Sequence, residues 1–417
     1  MTHSAEIDRN LNRKISIYWY NKNFIKGDVI AIYNNNPNRN NATLLFTYKP
    51  KIYRGSVKTP LTISFLNNYI AISQLNFCLE YFAAWIRNDK PRKIICLKSH
   101  RNWMYEMKNS IGPYRLSEII LPGSYKSGSY IKNLPPRESY VEKFTVTQNQ
   151  DIYTQLVHGV RYIEIQPGYY PNDIIKYWSN EKCLKQIPLS RIFWDMKLFL
   201  QSTKEIILLT FRNFPEGFKN KDDYDKFETF LEEQFEGYPV MKNSANLWNL
   251  TLNEIWKSNR RLIINLDHVF ESENHSLLKP RYEELENEKL IEVVRGVIYS
   301  EYYAKYNSVV PRDRVHFNVP RVVMAAVKSN YIPDCNTNTS ETNSTNYRTT
   351  RSSADIISPM LLEIYNEEYY DTANVIAVNF VDAVGIVDFA IEWNRRRTSS
   401  CYSYYKSLMT PSSTYYV

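Results

Sequence analysis

The sequence predicts an α/β fold: a β/α barrel over residues 100–397, preceded by a small all-β sandwich over residues 1–99. Two observations predict it. Short runs in which polar and apolar residues alternate recur at intervals of about ten residues through positions 14–98, as the strands of a small sandwich do. From about residue 100 the pattern changes to apolar strand-like runs separated by amphipathic segments of helical period, the order that builds a parallel sheet. With this many units a closed barrel fits better than an open sheet. The chain length of 417 residues agrees, because one barrel takes about 250 residues and leaves room for one further domain.

In chain order, Lys14–Trp19, Asp28–Tyr33, Ala42–Tyr48, Ile70–Ser73, Cys78–Arg87 and Lys93–Lys98 read as strands, with an Asn/Pro turn at 34–41. Ser117–Leu121 is a short apolar strand ending in Pro122-Gly123. Asp151–His158 has helical spacing, Val160–Ile165 and Ile174–Trp178 are strands, and Leu189–Leu200 is a helix. Glu205–Phe211 reads as a buried parallel strand, Asp222–Phe235 as a charged amphipathic helix, and Arg261–Leu266 as another strand. Val375–Val381 is a late strand followed by a helix over 386–395. Residues 334–353 are rich in Asn, Ser and Thr without apolar periodicity, which predicts a flexible insertion. Residues 398–417 form a tail rich in Ser, Thr and Tyr.

Composition excludes several classes. The hydrophobic fraction of 43% and charged fraction of 23% are those of a globular protein, and only 11 Gly argues against a disordered or collagen-like chain. A net charge of +8, from 52 basic and 44 acidic residues, is a mild excess spread along the chain. Such an excess attracts anionic lipid, but no basic run has the density of a nucleic-acid arm; the densest is Arg395-Arg396-Arg397. The expectation is therefore no nucleic-acid partner. The five cysteines form no CxxC pair, which argues against a structural zinc site, and their odd number fits a reducing compartment. Whether Cys78 and Cys96 pair is left open. Residues 1–14 lack the apolar core of a signal peptide, and no apolar stretch is long enough to span a bilayer. The expected location is cytoplasmic or at a membrane periphery.

No GxGxxG, Walker A, HExxH or GxSxG pattern occurs. The six His stand apart from any Cys or acidic cluster at metal-ligand spacing, so neither metal nor cofactor is expected. The informative segment is Leu121-Pro122-Gly123-Ser124-Tyr125-Lys126-Ser127-Gly128. It resembles the first signature, LPG-[ST]-H-[DN]-S-G, of the phosphatidylinositol-specific phospholipase C X domain. Gly159-Val160-Arg161-Tyr162-Ile163-Glu164-Ile165-Gln166 resembles the second, G-[VI]-R-x-x-D-[IL]-R. The run Ile206–Phe214 and the segment Asn374–Val381, followed by Ile386-Val387-Asp388, are similar to later parts of the domain. The resemblance covers about residues 100–396 and implies an irregular β/α (TIM-like) barrel. Ahead of it, Tyr18-Trp19 and Gly27–Tyr33 resemble a sandwich that shorter X-domain proteins carry, which implies a recognition module able to hold a protein partner.

The resemblance also implies a chemistry. The inositol 2-hydroxyl attacks phosphorus, one His accepts its proton, another protonates the leaving oxygen, and an Arg clamps the phosphate. This chain departs at each place. Tyr125 stands for the first His, Lys126 for the Asp or Asn beside it, Glu164 for the Asp of the second signature and Gln166 for its Arg. The strand near Trp178 offers no second His, and Asn379 stands for the late Asp. A Tyr of pKa about 10 is a poor base at neutral pH. The expectation is a degenerate member without catalytic residues, binding an anionic lipid, an inositol phosphate or a protein partner. Lys126, Arg212 and His268 are the candidate ligand-binding residues. The alternative is an active phosphoric diester hydrolase that uses Lys126, Glu164 and His268. His158, ahead of a strand, is expected on the structural end of the barrel.

Overall fold

The computed structural model describes residues 1–65, 78–79, 81–130, 139, 141–181, 184–242, 247–267, 281–285, 321–327, 349–367 and 373–399. Its N-terminal part holds two antiparallel sheets. One joins β1 (Thr2–His3), β2 (Asn12–Tyr20) and β5 (Arg54–Ser64) in the order β1-β2-β5. The other joins β3 (Val29–Tyr33), β4 (Leu44–Tyr48), β6 (Phe82–Arg87) and β7 (Lys90–Cys96) in the order β4-β3-β6-β7. Alternation along β2 turns Ile15 and Ile17 to one side, where they meet Ile30 and Ile32 of β3, Ile63 of β5 and Ala83 of β6 in one apolar cluster. Burying each such side chain contributes roughly 1.5–3 kcal/mol.

The longest of these strands, β5, escaped the periodicity. Gly55 and Pro60 interrupt its pattern. The structure shows why both are tolerated. Pro60 falls where the β2–β5 register shifts, between the pairs Lys14–Thr62 and Ser16–Lys58, a bulge at which Pro removes no ladder bond. At Gly55 any Cβ would lie 2.6 Å from the Trp19 indole. Ile70–Ser73 lies outside the described residues.

Eight further strands form a single sheet: β8 (Leu121–Ser124), β9 (Tyr162–Ile165), β13 (Ile207–Arg212), β14 (Val240–Lys242), β15 (Leu262–Asp267), β16 (Arg281–Leu285), β17 (Arg321–Val327) and β18 (Val375–Val378). Their order is β14-β15-β13-β9-β8-β18-β17-β16, and every adjacent pair is parallel. No pairing joins β14 to β16 among the described residues, so closure is not seen there. A separate three-stranded hairpin unit, β10 (Pro167–Tyr169), β11 (Tyr177–Glu181) and β12 (Leu184–Pro188), follows β9. The helices between strands are α1 (Ile152–His158), α2 (Leu189–Gln201), α3 (Lys221–Gln234), α4 (Leu252–Ser258), α5 (Thr350–Glu367) and α6 (Ile386–Arg397).

Several boundaries move. The strand expected at 117–121 is β8, three residues later at its C-terminal end, because Leu116–Glu118 makes a 3-10 turn. The strand expected at 174–178 is β11, ending at Glu181; Ile174 and Ile175 are instead an exposed loop. The late strand stops at Val378, and Val381–Val384 is a helical turn. Of the insertion expected at 334–353, residues 350–353 already form the first turn of α5. Thr398 and Ser399 follow α6, and the rest of the tail lies outside the described residues.

Alternation along the strands sorts the sheet's two faces. Ile163, Leu209, Phe211, Ile264 and Ile376 pack under α1, α2, α3, α5 and α6. The opposite face carries Leu121, Tyr162, Leu208, Ile263, Val322, Met324, Val375 and Ala377. At the N-terminal ends of the strands, Arg161 is fully buried and donates to Glu205, Leu156 O, Val160 O and Arg101 O. That satisfied pair fixes β9 against β13. His158 precedes β9 at the same end, as expected.

The two parts of the chain are joined by buried polar contacts. Arg13 Nη1 donates to Asp382 Oδ2 at 2.6 Å, His3 Nε2 lies 3.5 Å from the same oxygen, and Ala5 N donates to Asp355 Oδ1 at 2.7 Å. Along α5, Lys58 pairs with Asp355 at 3.4 Å and Arg54 with Glu363 at 3.5 Å.

Candidate functional site

The face opposite the helices turns polar at the C-terminal ends of the strands. Continuing the alternation past Tyr162, Leu208, Ile263 and Ala377 brings Glu164 from β9, Gln166 just beyond it, Thr210 and Arg212 from β13, Asn265 from β15 and Asn379 just beyond β18 to that face. Register supports this, since Thr210 pairs with both Glu164 and Asn265. Tyr125, two residues beyond Gly123, packs with the same face. All seven side chains are buried.

After β8 the chain turns sharply through Lys126, at φ 45°, and after β18 through Phe380, at φ 48°. Non-glycine residues hold such angles only when their surroundings over-determine them. Here they do. Lys126 N donates to Glu164 Oε2 at 2.9 Å, Ser127 N to Glu164 O at 2.8 Å, and Glu164 N to Ser127 Oγ at 3.0 Å. Gln148 Nε2 bridges Tyr125 O and Val378 O at 2.9 Å each, and its Oε1 accepts from Val381 N. Phe380 N donates to Thr147 O at 2.7 Å. Gly128 has no room for a Cβ, which would lie 2.3 Å from Ser179 Oγ.

Both expected cations are answered by carboxylates. Lys126 Nζ lies 2.7 Å from Glu181 Oε1 and 2.5 Å from Oε2, and 5.2 Å above the Tyr125 ring. Arg212 Nη1 lies 3.6 Å from Glu164 Oε1. Two positive and two negative charges balance, so these groups offer no excess charge to an anion. Thr210 Oγ1 and Asn379 Oδ1 are buried without a hydrogen-bond partner among the described residues. A cleft of about 740 Å³ opens elsewhere, between the β10–β11 loop and α3, lined by Tyr169, Ile174, Tyr177, Asp222, Lys226 and Phe230 among others. It shares no residue with this polar face.

Of the candidate residues, Tyr125, Lys126, Glu164, Gln166, Arg212 and Asn379 stand at this polar end of the sheet. Gln166 is held through its carbonyl, which accepts from Asn180 N at 2.7 Å. Trp178 does not join them. Alternation in β11 puts Tyr177, Ser179 and Glu181 on one side and Trp178 on the other, and its indole N–H donates to Ile175 O at 2.7 Å. The expectation fails because the strand runs three residues past Trp178. Glu181 takes the place in the site, with Thr210 and Asn265 beneath. None of the three carries a motif signal; only strand parity points to Thr210 and Asn265. His268 lies outside the described residues. No cluster of three or more potential metal ligands occurs among the described residues.

Comparison with known proteins agrees with this architecture. No family model matches the chain. The variant-surface-glycoprotein phospholipase C of Trypanosoma brucei brucei is 23% identical over 193 residues, covering 40% of this chain and 52% of that protein. A PI-PLC X domain-containing protein of Dictyostelium discoideum is 23% identical over 196 residues, 38% of this chain and 33% of the relative. A 1-phosphatidylinositol phosphodiesterase of Staphylococcus aureus is 28% identical over 165 residues, 39% of this chain and 46% of the relative. Over about 40% of its length the chain is thus similar to proteins of the phosphatidylinositol-specific phospholipase C X-domain type. The matches span about half the length of these relatives, or less. Mutant forms of the phosphatidylinositol-specific phospholipase C of Staphylococcus aureus share the fold of this chain. One has a TM-score of 0.51 at 16% identity, covering 70% of this chain and 97% of that one. In this chain the segment resembling the first signature forms β8 and the turn after it, and the segment resembling the second forms β9, so both end on the polar face. No helix among the described residues is long and apolar enough to cross a membrane.

Proposed function

We propose that this chain is a catalytically silent phospholipase C-like protein that binds through its polar strand ends. The observation that carries this is the Lys126–Glu181 pair beside the buried Tyr125. At the positions the resemblance assigns to a proton acceptor and its neighbour, this chain places a phenol and an ammonium already held by a carboxylate. Gln166 stands where the phosphate clamp would be. Without base and clamp, the rate falls by several orders of magnitude, because such groups act as a unit. Binding outlives chemistry: Thr210 Oγ1 and Asn379 Oδ1 offer a donor–acceptor hydroxyl and an acceptor to a hydroxyl-rich ligand. An inositol-type headgroup, free or on a lipid, has that chemistry.

In this reading the parallel sheet closes into an irregular β/α barrel over residues 100–397, and the two N-terminal sheets form a sandwich domain over 1–99 that also serves a protein partner. The fold likeness at a TM-score of 0.51 and the cluster shared by the two sheets support it.

The test is purified protein with phosphatidylinositol vesicles, with and without calcium, following release of inositol phosphate. No turnover is expected, together with inositol phosphate binding that Asn379→Leu weakens. Turnover lost in Lys126→Ala, Glu164→Gln or His268→Ala would establish the alternative, an active phosphoric diester hydrolase with substitute residues.

A further inference from the structure

Counted by region, the positive charge is not spread along the chain, as expected above from the composition, but is concentrated in the N-terminal part. Residues 1–99 hold fifteen Lys and Arg against five Asp and Glu, a net +10, so the other 318 residues together carry −2. Of those fifteen, only Arg13 is buried, and only Arg54 and Arg87 are half-buried. The remaining twelve are exposed.

Part of this charge gathers around apolar tips at one end of the N-terminal sheets. The loop after β2, residues 21–27, and the loop before β5, residues 49–53, are joined by a hydrogen bond from Asn21 N to Tyr53 O of 2.7 Å. Ile25 tips the first loop at 56% exposure and Ile52 the second at 54%. Lys22 and Lys26 flank Ile25, Lys49 and Lys51 precede Ile52, and all four are exposed. The tips are held in place. Trp19 Nε1 donates to Ile52 O at 3.2 Å, the Tyr20 and Tyr53 rings stand 5.9 Å apart, and Arg87 Nη2 donates to Asn23 O. The acid within this end, Asp28, is buried and paired with Arg87 at 2.6 Å. Asp89, on the next hairpin, is exposed beside Lys90.

We infer that this end of the molecule docks on an anionic lipid bilayer, the two isoleucines entering the interface and the lysines meeting the headgroups. Charge complementarity names the occupant. Exposed apolar tips ringed by cations, over a layer of Tyr and Trp, suit a surface that is apolar inside and negative at its boundary. A soluble polyanion would use the lysines and leave the isoleucines in water.

The docking end lies opposite the polar strand ends. β2 begins beside Asp382, just beyond the C-terminal end of β18, and runs away from it to Tyr20. The pairs Lys58–Asp355 and Arg54–Glu363 follow α5 in the same direction. A bilayer held at Ile25 and Ile52 thus leaves the candidate site facing away from it, and occupancy of the two is independent.

The experiment is co-sedimentation of the full chain with vesicles of phosphatidylcholine alone and of phosphatidylcholine with phosphatidylserine, at low and high salt. Binding is expected to the anionic vesicles only and to fall as salt screens the lysines. Lys49→Glu with Lys51→Glu lowers partitioning by roughly tenfold or more. Ile25→Ser with Ile52→Ser lowers it as well, with an unchanged melting temperature, since all four side chains are exposed. Saturating inositol phosphate leaves vesicle binding unchanged. Absence of binding to anionic vesicles at low salt would overturn the inference. So would binding that the isoleucine pair does not affect, or heparin retention without vesicle binding, which would assign the face to a soluble polyanion. Failure here leaves the turnover test untouched, because no residue of the candidate site is altered.

Discussion

Lys126 Nζ, on the turn after β8, and Glu181, at the end of β11, form a largely buried ion pair 55 residues apart in sequence, with Oε1 at 2.7 Å. The pair consumes the cation that an incoming phosphate would need. Glu181→Gln removes the competing charge, and the expected outcome is tighter binding of inositol phosphates, by about tenfold, in isothermal titration. Unchanged affinity would show that Glu181 does not mask Lys126.

Arg13 and Asp382 tie the N-terminal sheets to the end of β18, and both are fully buried. Burial by itself raises the Asp382 pKa, but Arg13 and the His3 hydrogen bond outweigh it and hold the carboxyl far below the usual range. Arg13→Ala leaves that charge without its main partner, which costs about 3–5 kcal/mol. Urea unfolding measures this. Arg13→Met with Asp382→Leu is expected to recover part of the loss, since no lone charge is then buried.

Stability is expected to fall on mild acidification. Burial, reinforced by Arg13, pushes the His3 pKa down to about 4 despite the opposing pull of Asp382 and Asp355. The folded value lies below the unfolded one near 6.5, so between the two the unfolded state binds more protons. The contribution of His3 is therefore complete above pH 6.5 and lost as pH falls towards 4, on the order of 3 kcal/mol in all. The midpoint of urea unfolding followed from pH 7.5 to 4.5 reports it, and His3→Gln is expected to flatten the profile.

Cys78 and Cys96 form a disulfide with a Cα–Cα distance of 5.4 Å, closing a loop over a sequence separation of 18. A loop of that size stabilises by about 3 kcal/mol through the unfolded state. Cys78 is exposed. Reductant, or Cys78→Ser, is therefore expected to lower the melting temperature, and an unchanged melt would show that the bond contributes nothing. The bond also counters the reading of a reducing compartment from the odd cysteine count, since such bonds persist where the surroundings oxidise.

Much of the sheet was legible because apolar runs such as Val160–Ile165 and Glu205–Phe211 bury on both faces and so keep their signal without context. β5 was not, because a bulge excuses its Pro60 from the rule that would exclude it. Tyr125, Lys126, Glu164, Gln166, Arg212 and Asn379 lie at strand ends, where a period of two already points, whereas Trp178 lies off that face because β11 runs three residues beyond it.

By itself the sequence determined the strand and helix order, the polar residues at the ends of β8 and β9, and the lack of a His in the segments 121–128 and 159–166. Those follow from residue identity and from periods of two and 3.6, which are local properties. Only the tertiary structure decided that Lys126 is neutralised by Glu181, that Arg13 locks the N-terminal sheets to Asp382, and that the basic loops face away from the site. Each depends on groups 55 to 369 residues apart in the chain. No period in the sequence relates such groups; packing alone brings their charges within a few ångströms and removes the water that would otherwise screen them.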